Sequence, residues 1–201
     1  MFVLTVDQID SRNQPDRVEA AITRIASRFA GELVAPPERT AGDEFQLATE
    51  SGAAALEIAL DLVRTENWSV GLGAGDAEEP RGGSVRAMTG SAFLNARDAV
   101  GLAKKRGTRF ALVADRAPAR DLDPLIRLLL ALRERRTPEG WELYDLLESD
   151  PPLTLTDAAG RLGVTVQAAS QRALTAGLRL DREARDALGS MLDAEDARIG
   201  A

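Results

Sequence analysis

The hydrophobic period of this chain changes near residue 117, and that change constrains the fold more than any other feature. Before it, short β-rich apolar runs alternate with stretches of helical period; after it, the strong apolar patterns recur at three- and four-residue spacing. Such a chain is expected to be α+β, with an α/β domain over residues 1–117 and an all-helical domain over 118–201. The 201 residues accommodate both, since a domain commonly holds roughly 100 to 150.

Residues 2–6 read as a buried strand that runs into a polar loop and leaves Asp7 at its carboxyl end. Pro15 then opens a helix with Val18, Ala21, Ile22, Ile25, Ala26 and Phe29 on one face, closed by Gly31. Residues 33–35 and 45–48 read as two strands of a hairpin joined around Ala41, Gly42, Asp43 and Glu44, with Gly42 supplying the turn and the acids at the tip. A helix over 53–64, a strand over 68–74, a loop over 76–88, a helix over 92–105 and a strand over 109–113 complete the order β-α-β-β-α-β-α-β. Two βαβ-like passes around a central hairpin are the arrangement of a ferredoxin-like or palm domain. Gly71, Gly73 and Gly75 weaken the strand over 68–74 and call for a closely approaching backbone or ligand.

Residues 116–120, with Pro118, read as the linker. Beyond it Leu122, Leu125, Ile126, Leu129 and Leu132 form a broad apolar face, and Thr137 and Pro138 open a further helix. Residues 154–177 then read as a helix-turn-helix. Thr154 caps a short helix carrying Ala158, Ala159 and Leu162, Gly163 ends it, and Val164 fills the turn. Thr165 caps a second helix whose buried face is Val166, Ala169 and Ala173. That phase leaves Gln167, Ser170, Gln171, Arg172 and Thr175 outward, residue types that bond base edges and phosphates in a major groove, with Thr165 at the helix start. An ordinary helical hairpin with a solvated polar face is the alternative. After Gly177 the sequence continues through residues 178–180 into a helix over 181–191 without paired strands for a wing.

Composition narrows the chemistry. The chain has no cysteine and no histidine, which removes thiol, disulfide and imidazole chemistry and leaves carboxylates, lysines, hydroxyls or an oxygen-bound metal. No apolar run approaches the roughly 18 residues that cross a bilayer, and the amino terminus lacks a secretory pattern, so a cytoplasmic protein without membrane contact is expected. A net charge of −7 opposes broad attraction to nucleic acid and requires a locally suited reading head, best used in a homodimer on two half-sites.

Asp7 at a strand end and Asp43 and Glu44 at a hairpin tip supply oxygen ligands of the kind that hold Mg2+ beside a nucleotide's phosphates. Two simple turn acids and a loop-bonding aspartate are an equally good reading. The segment Gly42-Asp43-Glu44-Phe45 resembles the signature of the diguanylate cyclase fold, and Ser69 to Gly73, with Ala103, Lys104 and Gly107, is similar to that family's closing segments. The resemblance implies a cyclase-like palm in which Asp7 and Asp43 are metal ligands, Glu44 is an acidic partner and Lys104 contacts a nucleotide phosphate. Ala41 stands in place of the signature's first glycine, and Thr108 in place of an arginine after Gly107, departures that weigh against nucleotide cyclisation. Residues 3–11, the run Arg39 to Gln46 and the helical tail together resemble the SatD family, with Asp7-Gln8 in place of a glycine-aspartate pair at the first strand; the resemblance implies a bacterial protein of poorly defined activity, often described as a regulator. The sequence therefore favours a homodimeric DNA-binding transcription regulator with a ligand-sensing or assembly domain over a metal-dependent nucleotide enzyme.

Overall fold

Phe2, Val3, Leu4 and Val6 are fully or almost fully buried because β1 (Phe2–Gln8) is the central strand of a five-stranded sheet and has both faces covered. In the computed structural model, which describes residues 1–78 and 84–197, the strand order is β2-β3-β1-β4-β5, with β2 (Glu38–Ala41), β3 (Glu44–Thr49), β4 (Trp68–Ala74) and β5 (Phe110–Ala114). Neighbours are antiparallel except β4 and β5, which are parallel and joined through α3 (Ser91–Ala103). The chain is thus a mixed α and β protein. Contacts divide it into two units, Met1–Leu130 with the described part of Arg185–Ala201, and Ala131–Ala184.

In the first unit α3 lies on the sheet face that carries Val3, Ala48 and Ala111, packed through Ala92, Ala96, Ala99 and Ala103. A Cβ on Gly71 or Gly73 would overlap the α3 backbone at Val100, Ala92 and Ala96, so a closely approaching helix is the reason for these glycines. Leu4 and Val6 point to the other face by strand alternation, where α2 (Gly52–Arg64) packs on β1, β3 and β4 and α1 (Val18–Arg28) packs on β3. Phe45 and Trp68 meet edge to face at 5.4 Å.

The hairpin differs from expectation. Pro36 and Pro37 have no N–H for a ladder, so residues 33–35 reach the sheet only through a Leu33–Thr49 bridge and a Val34 N–H to Ala48 carbonyl bond. The first strand is instead the polar edge segment β2, and the turn is Gly42-Asp43, with Gly42 at φ +57°. Glu44 lies in β3 rather than at the tip. Residues 79–83 of the expected loop lie outside the described residues; around them are a Glu78–Thr89 bridge and a short 3-10 turn at Val85–Ala87.

The expected linker is helical: Pro118 sits in the first turn of α4 (Ala117–Arg120), where a missing N–H costs nothing. The division near residue 117 moves accordingly. Asp123 at the start of α5 (Leu122–Glu134) accepts from the Leu112 N–H of β5 at 2.8 Å and from Arg106 at 2.8 Å, tying α5 to the edge strand. Late in α9 (Leu178–Ala197), Asp193 accepts from the Gly52 N–H at 2.5 Å and Arg185 bonds Glu57 at 2.8 Å, so the end of α9 also belongs with the sheet. That helix begins at Leu178, three residues earlier than expected.

The second unit centres on α6 (Pro138–Leu147), α7 (Leu155–Leu162) and α8 (Val166–Thr175). Leu143, Tyr144, Ala158 and Leu178 form its core, with Trp141, Leu162, Ala173 and Ala176 packed against them. Arg133, Arg136 and Asp181 are buried beneath it: Arg133 contacts both Asp181 oxygens at 3.0 Å, and Arg136 bonds the same carboxylate at 3.0 Å and the Ala176 carbonyl at 3.1 Å. The Arg136 guanidinium stacks 4.3 Å from the Trp141 ring centroid. Burial pushes its pKa down, and the Asp181 charge opposes that.

Candidate functional site

Each helix of the carboxyl-terminal head begins on a threonine whose hydroxyl accepts a first-turn N–H: Thr137 from Gly140, Thr154 from Asp157 and Thr165 from Ala168, at 3.1 to 3.2 Å. Gly163 closes α7 in the left-handed conformation at φ +66°, and its N–H reaches back to the α7 carbonyls. A Cβ residue is strained there, so the glycine fixes the sharp turn into α8. The result is two short helices joined by Gly163, Val164 and Thr165, packed on α6.

Ala169 is fully buried and Ala173 half-buried, as their spacing predicts. Val166 is not: it is 45% exposed, because the covered face of α8 runs through Ala169, Arg172, Ala173 and Ala176 and Val166 sits in the unpacked first turn. Gln167, Ser170, Gln171 and Thr175 are exposed, as is Thr165 apart from its capping bond. Gln171 Nε2 lies 3.5 Å from Thr175 Oγ1, one turn on. Arg172 is turned toward α6, with Glu142 at 3.9 Å, and is the least available of the six residues expected at DNA. Leu174, 74% exposed, lies among them and was not anticipated.

Acids and arginines around this face largely pair: Arg172 lies 3.9 Å from Glu142, Arg179 bonds Glu183 at 2.8 Å and Arg182 bonds Glu148 at 2.7 Å. Residues 137–153 carry Glu139, Glu142, Asp145, Glu148 and Asp150 and no basic residue, whereas residues 154–182 carry four arginines against Asp157 and the buried Asp181, a net of +2. Arg161, at the end of α7, is exposed and makes no ion pair among the described residues. Hydrogen bonds from its own N–H and from Thr137, together with the more distant Arg172 charge, hold the Glu139 carboxyl below its usual range.

The acids of the first unit are arranged differently. Asp7 and Glu44 are direct neighbours across β1 and β3 and so share a sheet face. Asp7 accepts from Lys104 Nζ at 2.7 Å, and Glu44 accepts from the Thr40 hydroxyl at 2.7 Å. Asp43 instead borders a cavity of about 410 Å3 with Gly42, Gln8, Ser11, Arg12 and Asp16. The three acids are therefore not one ligand set, and among the described residues no group of three or more acidic side chains is placed to hold a metal ion.

The cavity escaped sequence reading because its wall is assembled from the β1–α1 loop and the hairpin turn. Arg39 holds that wall, bonding Asp16 at 2.7 Å, Glu19 at 3.1 Å and the Gly42 carbonyl at 2.9 Å. The Val18 N–H, and then Arg39, hold the Asp16 carboxyl below its usual range, while Asp16 raises the Arg39 guanidinium. Arg12 is exposed at the rim and makes no ion pair among the described residues.

No family model matches this chain, and no curated protein matches it either. Among the described residues no helix is long and apolar enough to cross a membrane.

Proposed function

We propose that this protein is a cytoplasmic DNA-binding transcription regulator of the SatD kind, in which α7 and α8 form a helix-turn-helix and α8 enters the major groove. The observation that carries this reading is the tight Gly163 turn between two threonine-capped helices, which leaves Gln167, Ser170, Gln171 and Thr175 exposed and largely unengaged. The exposed Arg161 at the end of α7, which makes no ion pair among the described residues, supports it, since attraction to phosphate needs local rather than whole-chain positive charge. Glutamines read adenine edges, and the exposed Leu174 offers an apolar contact for a thymine methyl. Arg161 is assigned to phosphate. The first unit is read as a ferredoxin-like, cyclase-like palm, supported by the strand order and helix connections, and as a ligand-sensing or assembly domain.

Selection of genomic fragments by the purified protein tests the reading. Saturable, sequence-selective binding that weakens about tenfold in Gln171→Ala is the expected result, from the roughly 1–3 kcal/mol of a good base contact. Arg161→Ala should weaken selected and random fragments alike and lower the salt dependence. Binding unchanged in both variants would reject α8 as the reading helix.

A second reading, a magnesium-dependent nucleotide-binding enzyme, is favoured by the cavity beside Asp43 and by the accessible Lys104. There Asp43 and the cavity beside it would meet Mg2+ and the nucleotide, while Asp7, held by Lys104, and Glu44, held by Thr40, would join only after those bonds open and free Lys104 for a phosphate. Magnesium-dependent nucleotide binding that is lost in Asp43→Ala, with no DNA binding by the intact chain, is the outcome that selects this alternative.

A further inference from the structure

The outward face of α8 carries amides, hydroxyls and a leucine, and no charge. At 100° per residue, Leu174 falls within about 20° of the direction of Gln167, Gln171 within about 40°, Ser170 within about 60° and Thr175 within about 80°. All five are exposed, and Leu174, at 74%, is more exposed than any other large apolar side chain among the described residues. The helix has one charged residue, Arg172, about 140° around the axis from Gln167. Its guanidinium lies 3.9 Å from Glu142, and its charge also reaches Glu139, so the two α6 acids occupy the one cation that α8 has.

The four bases ask for different partners in the major groove. Guanine is read by a bidentate arginine or lysine, the cytosine amino group by a carboxylate, adenine by a bidentate amide, and the thymine methyl by an apolar side chain. The exposed face of α8 supplies the last two and neither of the first two. We propose that α8 reads a half-site of A·T pairs, in which Gln167 and Gln171 each engage the N6 and N7 of an adenine and Leu174 meets a thymine methyl. The inference rests on the DNA-binding reading and names the class of sequence that it would select. Gln167 and Gln171 stand about 6 Å apart along the axis and Leu174 about 4.5 Å further on. With a rise of about 3.4 Å per base pair, the three contacts fall within about four consecutive pairs. Ser170 bonds either kind of pair, so it adds affinity without discrimination.

The test is selection from random-sequence duplexes by the full chain, followed by fluorescence anisotropy on the enriched half-site with single bases replaced. A·T pairs should dominate about four adjacent positions. At one adenine, 7-deazaadenine, which lacks the N7 acceptor, should weaken binding about fivefold, and that loss should disappear in Gln171→Ala. A second adenine should behave in the same way toward Gln167→Ala. Uracil in place of one thymine removes the methyl and should weaken binding about fourfold, with no further loss in Leu174→Ala. Gln171→Lys keeps a good helix former and should exchange adenine for guanine at one position. A half-site dominated by G·C pairs that still depends on Gln171 would overturn this proposal and leave the DNA reading standing. So would an A·T preference indifferent to 7-deazaadenine and uracil, which would come from DNA shape instead. Enrichment of no sequence at all would overturn the DNA reading and this proposal with it.

Discussion

The acidic hairpin and the outward face of α8 both stand out in the sequence as clusters of chemically capable side chains, yet the fold handles them in opposite ways. At the hairpin, Asp7 is taken by Lys104 and Glu44 by Thr40, and Asp43 faces a separate cavity. On α8, Gln167, Ser170, Gln171 and Thr175 stay in solvent, while packing is left to Ala169 and Ala173 and capping to Thr165. Polar groups that satisfy one another lose little by remaining where they are. Groups left on a fixed helix face can form new bonds at little reorganisation cost, which is why α8 carries the functional assignment.

The comparison breaks most severely if the head loses its frame. Asp181→Ala leaves two buried guanidiniums without their carboxylate and should destabilise the second unit by about 3–5 kcal/mol, read as an early transition in urea unfolding followed by circular dichroism. The frame of the other region depends on close helix approach. Gly71→Ala forces a methyl into the α3 backbone and should cost about 1–3 kcal/mol, visible as a lower melting temperature with the head's caps intact. Next in size, Thr165→Ala removes the N-cap of α8 and should cost about 1 kcal/mol in chemical denaturation, with DNA affinity falling alongside.

Smaller effects sharpen the contrast. Gln171→Ala should leave stability within about 0.5 kcal/mol by denaturant titration, since the side chain is exposed. The Asp16 carboxyl, whose pKa is depressed in the fold, contributes stability that is present above its unfolded value of about 3.9 and is lost as pH falls through the lower native value. Asp16 is well exposed, so the effect is slight. Asp16→Asn should flatten the melting temperature of the protein between pH 5 and 3, read as about a degree or less.

The parts of this fold that were legible in the sequence are those where local chemistry decides. The strand at Trp68–Ala74, the threonine caps and the Gly163 turn needed only neighbours in sequence. β2 was missed because an edge strand reading Glu-Arg-Thr-Ala has no apolar alternation, and its pairing is set by β3 across the turn. Arg133 and Arg136 sit in a charged run without apolar period, and their burial rests on the distant Asp181, 45 residues beyond Arg136, together with the Ala176 carbonyl and the Trp141 and Tyr144 rings. The Asp193 cap on α2 and the cavity wall joining Arg12 to Asp43 likewise depend on contacts between distant segments. At the site, the outward phase of α8 was readable from Ala169 and Ala173. The turn of Arg172 toward Glu142 and the exposure of Val166 were not, because both depend on where α6 lies.

The most direct test is a heteronuclear NMR titration of the full chain with a selected DNA fragment, following backbone amides in both regions at once. The account predicts shift changes concentrated at Thr165, Gln167, Ser170, Gln171 and Thr175, with Asp7, Asp43, Glu44 and Lys104 unmoved. Changes centred on the hairpin acids instead, or none at α8 at saturating DNA, would contradict it.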